Sequence, residues 1–199
     1  MKTNNIQEQL TECISRMEYG AVFSLYDFLS YGSYDTVKRT MHRIGKDGRV
    51  ERVMNGLYWK PVPTGDPPDM RKVASAIAKK FSWSITPSRA HCLFVLGLRV
   101  KDDKSLSFMS TGPARSYQVM GKTITFHHTL TKDIAGISEK SGIVVEALRA
   151  VGKANITVKT LRIIREHLSL REMETMRREC TKVTNWIYDA IVTMTCLDD

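Results

Sequence analysis

The sequence predicts an α+β fold, in which an N-terminal unit of helices with a β-hairpin is followed by a mixed α/β domain that ends in helices. Three observations predict it. A basic helix runs directly into a hairpin over residues 33–61, and a Pro- and Gly-rich linker follows at 63–69. Beyond the linker, residues 106–110 and 117–127 look like strands, and the chain is helical in pattern after residue 132. The two domains are therefore expected at 1–62 and 70–199.

The basic helix has two different faces. Ser33 is a suitable N-cap, and Gly48 is a natural C-terminal stop. One face carries apolar residues at helical spacing, namely Val37, Met41 and Ile44. The opposite face and its flanks carry Lys38, Arg39, His42, Arg43 and Lys46. We therefore expect one face to pack against a core and the other to meet a partner.

The hairpin is predicted from its turn. Asn55-Gly56 is the dipeptide that a two-residue type I′ turn prefers, because both central residues need a positive φ. Such a turn sets the register of the flanking strands. The expected cross-strand pairs are Met54 with Leu57, Val53 with Tyr58, Arg52 with Trp59, and Glu51 with Lys60.

The residues before the basic helix complete a known order of elements. An amphipathic helix is expected from Asn4 or Asn5 to Gly20, followed by a short strand at 21–23 that joins the hairpin. Ser24 then opens a capping box with Asp27 and a short second helix. Helix, strand, helix, turn, helix and hairpin form the order of a winged helix-turn-helix. In that fold the third helix enters the DNA major groove, and the hairpin touches phosphates or the minor groove.

The charge of the chain favours a polyanionic partner. The formal net charge is +9, and residues 33–62 hold seven basic side chains against three acidic ones. No apolar run is long enough to span a membrane, and the N-terminus lacks the apolar core of a signal peptide. A soluble, cytoplasmic protein is expected. The four cysteines follow no C-x-x-C pattern and are predicted to be buried, reduced thiols.

The second domain is predicted as a small sheet flanked by helices. Helices are expected at 70–81, 88–98, 141–151 and 157–168, with a short strand near 83–86. Ser169 and Glu172 have capping-box spacing and start a long C-terminal helix. Its apolar residues, from Met173 to Met194, follow heptad spacing. They form either an intramolecular packing face or the seam of a homodimer.

No constellation in the sequence predicts catalysis, a metal or a cofactor. His127 and His128 point to opposite faces of a predicted strand, and His91 lies in an apolar helix, where a backbone partner is expected. Neither Asp102-Asp103-Lys104 nor Glu139-Lys140 has the spacing of a metal-dependent nuclease site. Phosphate-binding loops, nucleophile elbows and H-E-x-x-H motifs are absent from the sequence. We therefore expect a protein that is not an enzyme.

The candidate site residues are those that a winged helix would present to double-stranded DNA. Arg39 is suited to guanine O6 and N7, and Lys38, Arg43 and Lys46 to backbone phosphates. His42, Thr36 and Tyr34 are suited to base edges or phosphates. The full predicted set is Ser33, Tyr34, Thr36, Lys38, Arg39, His42, Arg43, Lys46, Arg52, Asn55 and Lys60.

Part of the chain resembles a known family. The run Thr36-Val37-Lys38-Arg39, Met41, Arg43, Ile44, Asp47-Gly48, Val50, Arg52 and Gly56-Leu57-Tyr58 is similar to the N-terminal winged helix of AbiEi-type antitoxins. These are the regulatory partners in bacterial type IV toxin–antitoxin operons. Leu96-Gly97-Leu98, Thr111-Gly112 and Gly121-Lys122-Thr123-Ile124 resemble the second domain of that group.

The resemblance implies a two-domain DNA-binding repressor of its own promoter. It also implies a functional partner, a toxin of nucleotidyltransferase type, that the protein opposes without forming a stable complex. An alternative from a different class is an interaction module, in which the basic unit binds RNA or a protein and no toxin is involved. An enzyme of unknown type is a third reading.

Overall fold

The computed structural model describes residues 6–197 and has a mixed α+β architecture with two small sheets. The predicted α+β class is confirmed at this level. The chain forms two compact units, Met1–Ser82 with Gln118–Thr123, and Trp83–Tyr117 with Ile124–Asp199. The predicted linker at 63–69 thus lies inside the first unit, which continues through the helix that follows it.

The first unit begins with the order of elements that the sequence predicts. Its described elements are α1 (Ile6–Arg16), β1 (Val22–Ser24), a 3₁₀ helix (Leu25–Tyr31), α2 (Tyr34–Lys46), β2 (Glu51–Met54), β3 (Leu57–Trp59) and α3 (Met70–Lys80). β1 joins the hairpin as predicted, and the sheet order is β1-β3-β2. The predicted second helix is a 3₁₀ helix, with Ser24 and Asp27 in a capping box. The N-cap predicted at Asn4 or Asn5 lies outside the described residues.

Helix α2 forms as predicted because its local signals agree. The Ser33 hydroxyl accepts a hydrogen bond from the Thr36 N–H at 3.4 Å, and Gly48 follows the helix end with a φ of +69°. The predicted apolar face is buried against α1, the 3₁₀ helix and the sheet, with a core of Leu10, Ile14, Phe23, Leu25, Phe28, Val37, Met41, Ile44, Val50 and Tyr58. The basic face of α2 is left exposed.

The hairpin forms with its turn at Asn55-Gly56, but two predictions for it are wrong. Only Gly56 of the two turn residues has a positive φ, so the turn is not type I′. The predicted register is also wrong beyond its first pair. Met54 pairs with Leu57 as expected, whereas Arg52 pairs with Tyr58 and Glu51 with Trp59. A β-bulge between Arg52 and Met54 shifts the register by one residue. Val53, in the bulge, is buried. The indole N–H of Trp59 donates to the Glu51 carboxylate at 3.3 Å, a pairing that the shift makes possible.

The second unit contains a four-stranded sheet and a helical core. Its strands run in the order β4-β5-β7-β6, with β4 antiparallel and β7 parallel to β5. They are β4 (Ile85–Pro87), β5 (Ser107–Ser110), β6 (Arg115–Val119) and β7 (Lys122–His128). Its helices are α4 (Arg89–Val95), α5 (Thr131–Ile134), α6 (Glu139–Val151), α7 (Val158–Arg165), α8 (Leu170–Glu179) and α9 (Asn185–Thr195). The predicted strands and helices up to residue 168 are present with shifted ends.

The long C-terminal helix predicted from Ser169 is wrong. The capping box of Ser169 and Glu172 does start α8, but a 3₁₀ turn at Cys180–Lys182 and an extended Val183 separate α8 from α9. The heptad-spaced residues still share one core, because the two shorter helices fold onto it; Met176, Cys180, Val183, Ile187, Ala190 and Met194 all belong to this core. This is the intramolecular packing that the sequence left open beside a dimer seam.

The prediction that all four cysteines are buried is correct for Cys92 and Cys180 and wrong for the other two. All four are free thiols, but Cys196 is exposed and Cys13 is partly exposed. Burial raises the pKa of Cys92 to about 12 and that of Cys180 to about 11. These two thiols are therefore protonated and unreactive at neutral pH.

Across residues 6–197, the structure contains no helix with both the length and the apolar character needed to cross a bilayer.

Candidate functional site

A groove lies between α2 and the hairpin of the first unit. Its volume is about 470 Å³, and it is lined by Leu25, Asp35, Lys38, Arg39, His42, Arg52, Asn55, Gly56 and Tyr58. Five of these nine residues belong to the predicted site: Lys38, Arg39, His42, Arg52 and Asn55. The structure thus places basic residues of the helix and of the hairpin around one concave surface.

Helix α2 contributes the cations of one wall. Lys38, Arg39 and His42 are exposed, on the face opposite the buried Val37 and Met41. Arg39 and His42 are three residues apart and so lie one helical turn from each other. The local pattern that buries one face of α2 therefore also aims these basic side chains away from the core.

The hairpin contributes an arginine that is held in place. The Arg52 guanidinium donates to the Met54 carbonyl at 3.3 Å and to the Asn55 side-chain oxygen at 3.1 Å. The bulge places Arg52 opposite Tyr58, which also lines the groove. The Tyr58 hydroxyl is neutral at physiological pH, as for any tyrosine, and can donate a hydrogen bond; burial raises its pKa further. The hairpin side of the groove thus offers a fixed cation and a neutral donor.

Three more predicted residues lie at the start of α2, outside the groove lining. The hydroxyls of Ser33 and Thr36 are 2.9 Å apart and belong to the helix cap. Tyr34 is exposed, and its ring lies 5.6 Å from the ring of Tyr26, which is also exposed. The pair of tyrosines forms an exposed aromatic surface that the sequence analysis did not predict, since Tyr26 lies on the preceding 3₁₀ helix.

Arg43 and Lys46 are exposed on the second half of α2, beyond the groove. They extend the basic face of the helix toward its C-terminus. A cation near the C-terminus of a helix interacts favourably with the negative end of the helix dipole. These two residues therefore stabilise α2 in addition to any contact they make with a partner.

Lys60 is the predicted residue that the structure separates from the others. Its ammonium donates to the carbonyls of Ser15 at 2.8 Å and Met17 at 2.7 Å, and lies 4.6 Å from the centre of the Tyr19 ring. Lys60 therefore caps the C-terminal end of α1 through these backbone carbonyls. These contacts hold its ammonium at α1, and Lys60 does not line the groove.

Sequence reasoning missed four residues of the lining and one neighbour of the hairpin turn. Leu25, Asp35, Gly56 and Tyr58 line the groove because of how the 3₁₀ helix, α2 and the hairpin pack. Lys80, at the end of α3, donates to the Asn55 carbonyl at 3.0 Å. No local pattern predicts that contact, since Asn55 and Lys80 lie on opposite sides of the proposed linker.

The other constellations of the sequence do not form a metal site within residues 6–197. His91 pairs through Nδ1 with the Asp102 carboxylate at 3.0 Å, so the backbone partner predicted for it is wrong. That hydrogen bond holds the pKa of Asp102 below its ordinary value. His128 instead contacts the Gly112 carbonyl through Nδ1 at 2.9 Å.

Comparison with known families gives one match. A family of unknown function, DUF6088, matches residues 9–176, which is most of the chain and includes the groove. Comparison with curated proteins and with solved structures found no match.

Proposed function

The chain belongs to the DUF6088 family, and we propose that this protein is a transcriptional regulator whose first unit is a winged helix-turn-helix that binds double-stranded DNA. In this proposal α2 is the recognition helix and the β2–β3 hairpin is the wing. The protein acts by occupying a promoter, its own in the simplest case, and has no catalytic role.

The arrangement of the first unit supports the winged-helix assignment. A helix, a short strand, a second helical turn and α2 precede the hairpin, and the short strand adds to the hairpin sheet in the order β1-β3-β2. The α2 helix packs against both α1 and the 3₁₀ helix, with its apolar face inward. This leaves its opposite face free to enter a DNA groove of about 12 Å width.

The observation that carries the proposal is the convergence of basic residues on the groove. Lys38, Arg39 and His42 from α2 lie across from Arg52 of the hairpin, around a groove of about 470 Å³. A single basic helix face is commonly just solvated. Cations brought to one concave surface by two separate elements suit a polyanion, because each phosphate then meets positive charge from both sides.

Each type of side chain has a distinct part in this binding mode. The guanidinium of Arg39 can bond a guanine at O6 and N7 together, which reads sequence. Lys38 and Arg52 suit phosphate oxygens, which set the position of the protein on the duplex. Each neutralised phosphate releases counterions, so the affinity must fall with salt by a slope of about −0.9 per contact.

We further infer that the protein is the antitoxin of a type IV toxin–antitoxin operon. The support for this step is the resemblance of residues 36–58 to the winged helix of AbiEi-type antitoxins. The functional partner is then a toxin of nucleotidyltransferase type. The gene next to that of this protein tests the inference at once: a nucleotidyltransferase-like gene downstream supports it, and its absence leaves a DNA-binding regulator without a toxin.

The DNA-binding proposal predicts the result of a promoter-binding experiment. A duplex from the protein's own promoter is titrated with the full chain in a gel-shift or anisotropy assay at several salt concentrations. We expect a shift whose affinity falls steeply as salt rises. The double variant Arg39→Ala with Arg43→Ala abolishes the shift, because it removes the base-reading fork and one phosphate contact from α2.

A matched variant controls for the loss of two charges. Arg177→Ala with Arg178→Ala removes two exposed arginines from α8 in the second unit and is expected to leave promoter binding unchanged. Unchanged binding in the α2 variant would refute the assignment of the helix. Preference of the wild-type protein for structured RNA over the promoter duplex at equal salt would instead favour the RNA-binding alternative.

A further inference from the structure

The turn of the proposed wing carries no charge of its own. It consists of Asn55 and Gly56, and Gly56 has a φ of +75°, which a side chain would strain. The nearest hairpin cation, Arg52, is bonded to the Met54 carbonyl and the Asn55 side chain. A cation supplied to the turn from outside the hairpin would therefore add to the phosphate contact proposed for Arg52.

Helix α3 brings such a cation to the turn. The Lys80 ammonium donates to the Asn55 carbonyl at 3.0 Å, and a Cβ placed on Gly56 would lie 3.3 Å from the same nitrogen. An ammonium has three N–H donors, and the bond to Asn55 uses one of them. Lys80 thus lies directly against both residues of the turn and keeps capacity to donate to an anion.

The same end of α3 makes a second contact with the first unit. The ammonium of Lys79 lies 2.6 Å from the Asp27 carboxylate on the 3₁₀ helix. Burial alone would raise the pKa of Asp27, but Lys79 and the Ser24 N–H outweigh it and hold that pKa below its ordinary value. The carboxylate is therefore charged at neutral pH, and the ion pair links the last turn of α3 to the 3₁₀ helix.

We propose that Lys80 is a DNA-contacting residue of the wing, supplied by α3. The inference rests on the DNA-binding function proposed above and adds a new element to its interface. In the complex, the Lys80 ammonium donates to a backbone phosphate while it holds the Asn55 carbonyl. Lysine suits this contact because its ammonium is a point charge without the planar fork that base reading needs.

The test measures the salt dependence of promoter binding by full-length variants. Lys80→Met removes the charge and keeps the length of the side chain. Lys72→Met removes one charge from an exposed position about 12 Å away along the same helix and serves as the matched control. We expect the slope of log affinity against log salt to become less steep by about 0.9 for Lys80→Met. The Lys72→Met variant is expected to keep the wild-type slope. Lys80→Arg, which retains the charge, is expected to keep it as well.

The outcomes are distinguishable. If wild-type protein fails to bind the promoter duplex, the DNA-binding function itself fails. If wild-type protein binds and Lys80→Met weakens binding with an unchanged slope, Lys80 only braces the turn and the inference is overturned. Equal slopes for the Lys80 and Lys72 variants also overturn it, because the effect is then a general loss of charge. Thermal melting of each variant verifies that the fold is retained.

Discussion

Asp35 is an acidic residue in the lining of a groove that is otherwise basic. It belongs to the first turn of α2, where a carboxylate is favoured by the positive end of the helix dipole. It also lines the groove together with Lys38, Arg39 and Arg52. A carboxylate at this place repels phosphate, so the same residue stabilises the helix and weakens the proposed binding. Natural interfaces use such repulsion to limit non-specific association.

We predict that Asp35→Asn tightens binding to DNA of any sequence. Removing one negative charge from the groove strengthens its attraction for phosphate, and the gain shrinks as salt rises because exposed charges are screened. The cost to stability is about 0.3–1 kcal/mol, from the lost interaction with the helix dipole. Anisotropy titrations on promoter and unrelated duplexes, with chemical denaturation alongside, measure both effects.

The control for this prediction is Asp47→Asn. Asp47 caps the C-terminal end of α2 and lies outside the groove lining. A smaller gain in affinity is expected from it. Equal gains for the two variants would contradict the role given to Asp35.

The junction between α8 and α9 shows how a tertiary contact interrupts a helix that the local pattern favours. The Asp133 carboxylate on α5 accepts from the Thr184 N–H at 2.7 Å and from its hydroxyl at 3.0 Å. It also pairs with the Arg149 guanidinium of α6. A fully buried carboxylate needs these partners, and bonding the Thr184 N–H requires the chain to leave the helix there. The two short helices α8 and α9 both pack onto the core of the second unit.

We predict that Asp133→Ala strongly destabilises the second unit. The substitution leaves the Arg149 guanidinium without its buried counter-ion and the Thr184 N–H without its acceptor. Loss of one partner of a buried pair costs about 3–5 kcal/mol. Urea denaturation followed by circular dichroism measures the free energy of unfolding.

Asp189→Ala on α9 is the control, since Asp189 is exposed. Its free energy of unfolding should stay within about 0.5 kcal/mol of the wild type. Asp133→Asn keeps an acceptor for Thr184 and is expected to lie between the two. A loss for Asp133→Ala no greater than that of the control would show that the network does not hold the junction.

The division of the molecule into units groups α3 with the elements of the proposed winged helix. The two units have similar net charge. The first holds fourteen basic and nine acidic residues, and the second holds sixteen basic and twelve acidic residues. The first unit differs in that several of its basic side chains line one groove. α3 packs against β1, and Lys79 and Lys80 tie its end to Asp27 and Asn55. The compact first unit thus extends beyond residue 62, and in the proposed function α3 belongs to the DNA-binding unit.

We predict that a fragment of residues 1–62 is less stable than one of residues 1–82. The shorter fragment lacks the apolar face of α3 over β1 and the two lysine contacts. A lower midpoint of thermal unfolding and weaker DNA binding are expected for it, measured by circular dichroism and anisotropy. Identical midpoints for the two fragments would place the boundary at residue 62 after all.

Local signals were sufficient for α2, for the position of the hairpin turn though not for its type, and for the caps of Ser33 and Ser169. Consecutive signals in this helix are three or four residues apart, from Ser33 through Val37, Met41 and Ile44 to Gly48, so they can be recognised in the sequence alone. The basic face of α2 followed from the same periodicity. Five of the eleven predicted site residues therefore line the groove that the structure forms.

The sequence could not predict the features that depend on contacts between distant residues. The bulge between Arg52 and Met54 has no signal in the local sequence, and the break before α9 involves Asp133 and Thr184, which are 51 positions apart. Lys60 was placed at the site by its charge, but it is held by the Ser15 carbonyl, 45 positions away. The periodicity of the chain thus determined which elements form and which faces are basic. Packing between distant segments decided which of those charges share one groove, because a hydrogen bond or an ion pair forms only where the fold brings its two partners together.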